Sequence, residues 1–253
     1  MDAVVPYSPI ILLAVAAIFL AGGVVKGALG FGLPLVTMSL LPLVIPVEVA
    51  LAINALATPF NNIEQLRRAA PWRPVLKRFW PVVATTAAGI LIGAVFVTSL
   101  DERVLILTLG FAVLSFIALN VLKPAIAIRA DRETPYGLLT GFAGGIVGAL
   151  TTANGPVYIM YLVGLKVDRP VFVASLGLFF VVTGVVLSAS FLALGLITVP
   201  IAFLALLCIP AANLGMRAGF WLADRVSAEK FRIVVLIVLA ALGLNLVAQG
   251  LAL

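Results

Sequence analysis

The chain has no histidine and one cysteine, Cys208, in 253 residues. A lone cysteine cannot close an internal disulfide. Without histidine or a second thiol the sequence lacks the usual ligand sets of a transition-metal site, so no metal and no cofactor are expected. Charge is also scarce: 10% of residues are Asp, Glu, Lys or Arg, against about 25% in a soluble domain. No Asp or Glu lies at the centre of an apolar segment; Glu48 and Glu64 stand at the two ends of one. Proton relays in membranes use buried carboxylates or histidines, so nothing here marks proton coupling. No glycine-rich phosphate loop occurs, which argues against ATP use by this chain. Paired Asp, a Ser-His pair and a zinc motif are all missing, and an enzyme is not expected. The basic residues lack interleaved aromatics, so nucleic acid is not an expected partner. The start, Met-Asp-Ala-Val-Val-Pro, has no basic region of the kind that opens a cleaved leader, so the first apolar run reads as a mature helix.

What is present is hydrophobic. Apolar residues make up 64% of the chain and the mean hydropathy is +1.27. This composition predicts an all-α integral membrane protein, built as a single transmembrane domain over residues 1–253. Ten apolar segments are read, at about 8–25, 27–45, 47–66, 79–98, 103–122, 136–150, 155–166, 170–188, 198–216 and 231–250. A span of about 30 Å takes about 20 helical residues. The seventh segment is too short for that, and the second has regular helix only from Leu33 to Ile45.

The two short segments belong to an internal repeat. Offset by 122 residues, Gly22, Gly23, Pro34 and Met38 meet Gly144, Gly145, Pro156 and Met160. The stretch SLDERVLI at 99–106 likewise resembles VSAEKFRI at 226–233. Repeat one then covers about 8–122 and repeat two about 136–250, with five segments each. Every Lys and Arg except Arg103 falls in loops on one side, the positive-inside signature of a cytoplasmic face. With five segments per repeat, the second is inverted relative to the first, and both termini face outward. The parity holds whether each leading pair of segments crosses fully or forms a re-entrant hairpin, broken by glycine and proline.

A polar break inside an apolar span survives only where it lines a cavity or is buried in protein. Paired breaks in matching positions of two repeats point to a transporter's binding site. Asn154-Gly155-Pro156 reads as a helix start, with Asn as cap and Pro in the first turn. Gly32-Leu33-Pro34 starts its counterpart. Two helix N-termini meeting near the midplane make an anion site. Candidate substrate-binding residues are therefore Gly30, Gly32, Pro34, Thr151, Thr152, Asn154 and Gly155, with the side chains of Thr151, Thr152 and Asn154 as extra donors. Asn54 and Asn213 sit mid-segment and either line the cavity or bond across helices. Lys26 either draws the anion or snorkels to the inner interface. Backbone N–H groups and hydroxyls, more than a formal ion pair, are expected to hold the anion. Gly22, Gly23, Gly144 and Gly145 read first as helix-packing positions.

The residues AGGVVKGALGFGLPLV at 21–36, AGGIVGALTTANGPVYI at 143–159, and the SLDERVLI and VSAEKFRI segments together resemble the TauE/SafE sulfite-exporter family of membrane permeases. The likeness runs along essentially the whole chain. Thr151-Thr152-Ala153-Asn154 stands where the family's second hairpin is richer in glycine. The resemblance implies a permease moving sulfite, a sulfonate or another small organic anion. The expected protein is a secondary transporter of the plasma membrane (a bacterial inner membrane), working by alternating access. An anion channel using the same midplane site is the alternative. The expected partners are the small anion, membrane lipid and, left open, a second copy in a homodimer.

Overall fold

A computed structural model describes residues 7–68, 71–122 and 127–253. These residues form ten α-helices and no strand. In chain order they are α1 (Pro9–Leu29), α2 (Leu33–Leu40), α3 (Val47–Arg68), α4 (Trp72–Val97), α5 (Glu102–Leu122), α6 (Glu133–Thr151), α7 (Gly155–Gly164), α8 (Arg169–Ala193), α9 (Val199–Ala223) and α10 (Ala228–Ala252). Of two 3-10 turns, Leu41–Leu43 extends α2 and Ala130–Arg132 leads into α6.

By length and composition six helices among the described residues suffice to cross a membrane: α1, α4, α5, α8, α9 and α10. The ten apolar segments therefore do not become ten equal spans. α2 and α7 are short, and α7 with 10 residues rises only about 15 Å. α3 is long but polar. Between Ala50 and Asn62 only Leu56 and Phe60 escape full burial, so its Asn and Thr side chains face protein, not lipid. Pro59 removes the amide that would reach the Ala55 carbonyl one turn back; Ser188 on α8 donates its hydroxyl to that carbonyl instead, at 2.9 Å.

Helix starts and stops follow local chemistry. Ser8 caps α1, accepting from the Ile11 amide at 3.4 Å, with Pro9 in the first turn. α1 ends on Gly30 at φ +84°, and Gly32 at φ +103° leads into α2. Glycine alone adopts these left-handed angles without a Cβ penalty. The sequence-based start of the fourth segment at 79 coincides with non-helical angles at Phe79, two residues before Pro81; the helix itself reaches back to Trp72.

The helices pack in four close pairs: α1 on α9, α4 on α6, α3 on α8 and α5 on α10. Glycine sets the first two. A Cβ at Gly23 or Gly27 would overlap the carbonyls of Ala212 or Met216, and one at Gly215 or Gly219 those of Leu20 or Val24. Gly145 and Gly89 meet Thr86 and Phe142 in the same way across α4 and α6. Gly22 and Gly144 instead sit under Leu33 and Tyr158, inside their own hairpins. These glycines are packing positions, as small residues are in membrane helix pairs. At the ends of α5 and α10, Arg232 donates to the Asn120 carbonyl at 3.1 Å and to its side-chain oxygen at 2.8 Å.

Candidate functional site

The two links that interrupt the hairpins meet at one small cavity, about 30 Å³ in volume. α1 contributes Lys26. The α1–α2 link and the first turn of α2 contribute Phe31, Gly32, Pro34 and Leu35. The α6–α7 link contributes Thr152, Ala153, Asn154 and Gly155, while Thr58 and Asn62 come from α3 and Phe180 from α8. Six sequence-predicted residues, Lys26, Gly32, Pro34, Thr152, Asn154 and Gly155, are thus brought together. Gly30, Asn54, Thr151 and Asn213 do not line the cavity.

Lys26 does not snorkel. It is 4% exposed, and its ammonium donates to the Asn61 carbonyl at 3.2 Å and to the Asn62 side-chain oxygen. α3 supplies these acceptors inside the protein, so the ammonium has partners without reaching solvent. An ammonium carries three N–H donors, so one remains for the cavity. Among the described residues Lys26 pairs with no carboxylate. Asn62 is fixed in turn by donating to the Thr58 carbonyl at 2.7 Å, and Thr58 donates to the Asn54 carbonyl at 2.6 Å.

Thr152 ends α6 at φ +53°, 122 residues after Gly30, which ends α1 the same way. A β-branched residue in the left-handed region costs about 1–3 kcal/mol and persists only where the surroundings hold it there. Its hydroxyl is buried and has no hydrogen-bond partner. It is therefore a free donor at the cavity wall.

The other expected donors are committed elsewhere. Thr151 donates to the Val147 carbonyl at 2.7 Å and accepts from the Ala153 amide at 3.1 Å. Asn154 holds the cap position of α7 but makes no side-chain capping bond. Its amide group reaches back to the Gly144 carbonyl (3.2 Å), Thr183 Oγ1 (3.0 Å) and the Tyr158 hydroxyl (3.3 Å). Tyr158 in turn lies 3.0 Å from Thr86 Oγ1. The network ties α7 to α4, α6 and α8, and Asn154 fixes where α7 begins. Asn54 is likewise cross-helix glue: it accepts from Thr37 Oγ1 at 2.7 Å and donates to the Ala50 carbonyl at 3.0 Å. Asn213 is half-buried on α9.

What faces the cavity is electropositive: one ammonium, one free hydroxyl, and the first turns of α2 and α7. Helix N-termini carry unpaired amides and a partial positive charge. Among the described residues no carboxylate lines the cavity. A second, larger cavity of about 500 Å³ adjoins it, between α5 and the α6–α7 hairpin, and Ala153 lines both.

The family model described as Sulfite exporter TauE/SafE matches residues 14–246 of the chain. The chain belongs to that family. TauE/SafE proteins are membrane transporters of sulfite and related sulfur anions, and an integral membrane transporter is what the six apolar helices fit. The match covers both hairpins and every residue of the cavity. No curated protein and no solved structure matches the chain. Within this TauE/SafE chain, sequence reasoning missed Phe31, Leu35, Thr58, Asn62, Ala153 and Phe180. A signal existed for two of them: Asn54, Thr58 and Asn62 recur every fourth residue, one polar stripe on one face of α3. Phe180 sits in an ordinary apolar run and gives no such signal.

Proposed function

We propose that this protein is a secondary transporter for a small sulfur-containing or carboxylate anion, bound between the two hairpins by the Lys26 ammonium, the Thr152 hydroxyl and the first-turn amides of α2 and α7. The observation that carries the reading is the convergence of these positive groups on one cavity that, among the described residues, holds no carboxylate. The cytoplasmic side is the one carrying all the Lys and Arg except Arg103 and the buried Lys26, and both termini are outside.

Alternating access between two inverted repeats has its own support. An exchange of the first five helices for the last five turns the α1–α9 pair into α6–α4, and maps α3–α8 and α5–α10 onto themselves; these are the four close pairs. The two halves also differ in a way that rocking would exchange. The α5–α10 pair packs against α2, with the Phe31 and Phe116 rings edge to face at 5.9 Å, and leaves a gap of only about 10 Å³ there. Between α5 and the α6–α7 hairpin lies the 500 Å³ cavity instead. A swing of that pair from α2 to α7 closes one side and opens the other.

Counterflow in proteoliposomes tests the reading. Uptake of labelled sulfite or a short sulfonate is expected to saturate and to accelerate when unlabelled anion is inside. Flux that neither saturates nor responds to trans anion would make the protein a channel. Absence of both flux and binding across sulfite, sulfonates and carboxylates would refute the anion site.

A further inference from the structure

The larger cavity, about 500 Å³, is a groove with an open side. Ser115 of α5 lies on its wall and is exposed, and α5 is one of the helices long enough to span a membrane. The open side therefore faces lipid. The α6 wall is a single stripe, Tyr136, Thr140, Ala143 and Val147, recurring every third or fourth residue. From Tyr136 to Val147 this stripe rises about 16 Å, at about 1.5 Å per residue. One leaflet's share of a hydrocarbon core of about 30 Å is about 15 Å. The wall is mainly hydrocarbon, and the Tyr161 hydroxyl on it is already committed, donating to the Glu133 carbonyl at 3.0 Å. The groove is thus apolar, open to the side and as long as one leaflet is deep.

The end at Tyr136 is different. The Ile128 amide donates to the Gly164 carbonyl at 2.8 Å, which pins the link before α6 to the end of α7, and Ile128 lines the groove there. The carboxylates of this link are already matched: Asp131 by Arg129 at 3.1 Å and Glu133 by Arg78 at 2.7 Å. Arg132 stands exposed one turn before Tyr136 and, among the described residues, pairs with no carboxylate. A guanidinium binds phosphate oxygens bidentately. The face where it lies carries most of the basic residues, and basic pockets between membrane helices on the cytoplasmic side suit anionic lipid headgroups.

We propose that this groove binds an anionic phospholipid of the inner leaflet, with one acyl chain between α5 and the α6–α7 hairpin and the phosphate at Arg132. The chain runs toward Ala153, at the deep end of the groove. A zwitterionic lipid brings its own cation to the phosphate and gains less from Arg132. The bound chain also keeps α5 apart from α7, so the lipid holds back the swing of the α5–α10 pair; this last step rests on the transport reading of the previous section.

Native mass spectrometry of the purified full-length protein, relipidated with equal phosphatidylglycerol and phosphatidylcholine, tests the site. Phosphatidylglycerol is expected to be retained about fivefold over phosphatidylcholine. Arg132→Gln should remove the preference and Arg132→Lys keep most of it. Ser115→Phe, at an exposed position in the groove, should lower retention of both lipids. No preference in the native protein, or a preference that persists in Arg132→Gln, overturns the headgroup site. Retention unchanged in Ser115→Phe overturns the place given to the chain. Counterflow in vesicles of each lipid tests the wedge. Exchange by the native protein is expected to slow in phosphatidylglycerol by a larger factor than exchange by Arg132→Gln, which feels the same surface potential. Equal factors overturn the wedge. Absence of exchange in every vesicle refutes the transport reading instead, and the lipid site then stands or falls on retention alone.

Discussion

Lys26→Gln separates charge from shape at the cavity. Glutamine keeps most of the stem and can still donate to the Asn61 carbonyl and the Asn62 side chain, so the contacts that hold α1 to α3 persist. What is lost is the positive charge. Two unit charges 4 Å apart interact by about 4 kcal/mol at an effective dielectric near 20, and removing one partner of a desolvated charge pair costs about 2–5 kcal/mol. The anion's affinity is therefore expected to fall by roughly 30- to 4000-fold, at about 1.4 kcal/mol per factor of ten. The residual binding comes from the α2 and α7 termini and Thr152. Stability should move the other way. Without anion, Lys26 is a buried charge with no carboxylate beside it among the described residues, and such a charge disfavours folding. The variant is expected to unfold at an equal or higher temperature than the native protein. Calorimetry with methanesulfonate gives the first number and thermal unfolding in the same detergent the second. Binding within threefold of native in a folded Lys26→Gln protein would refute the role given to the ammonium and return the anion to backbone donors alone, the weighting that sequence suggests.

Thr152→Val keeps the left-handed strain and removes the free hydroxyl; calorimetry should show anion affinity reduced by about 0.5–1.5 kcal/mol, up to about 3 if the hydroxyl faces full charge. Thr152→Gly is expected to lose the same affinity yet raise the unfolding temperature, since glycine accepts φ near +53° without the penalty. Asn154→Leu leaves the Gly144 carbonyl and the hydroxyls of Thr183 and Tyr158 short of a partner, at about 1–3 kcal/mol; stability should fall together with binding, and an unchanged unfolding temperature would contradict its anchoring role. Topology is open to an impermeant thiol reagent on cells carrying Arg73→Cys in a Cys208→Ala background. No labelling from outside is expected at this exposed position, and external labelling would reverse the assigned orientation.

Much of the fold was legible because lipid restricts what a chain can do. Long apolar runs become helices, and α1, α4, α5, α8, α9 and α10 lie close to where hydropathy put them. The breaks were legible for the same reason: Gly30, Gly32 and Pro34 have no use in a regular lipid-facing helix, so their presence gave away the α1–α2 link. The limits came from side-chain direction. Residue type alone does not say whether a mid-segment Asn faces a cavity or a neighbouring helix, and Asn54 faces Thr37 and Ala50 while Asn62 faces Lys26. Thr151 and Thr152 illustrate the same limit one residue apart. The first is still helical and returns its hydroxyl to the turn behind it, whereas the second is turned left-handed and keeps its hydroxyl free. Only the backbone angle separates them, and that angle is set by how α6 must end for α7 to start at Gly155. Lys26 follows the same logic: its sequence neighbours are apolar, and the acceptors that hold it inside belong to a helix 35 and 36 residues further along. The site is thus readable as a place in the chain, but the partition of its polar groups into those that bind and those that brace is decided by packing between elements distant in sequence.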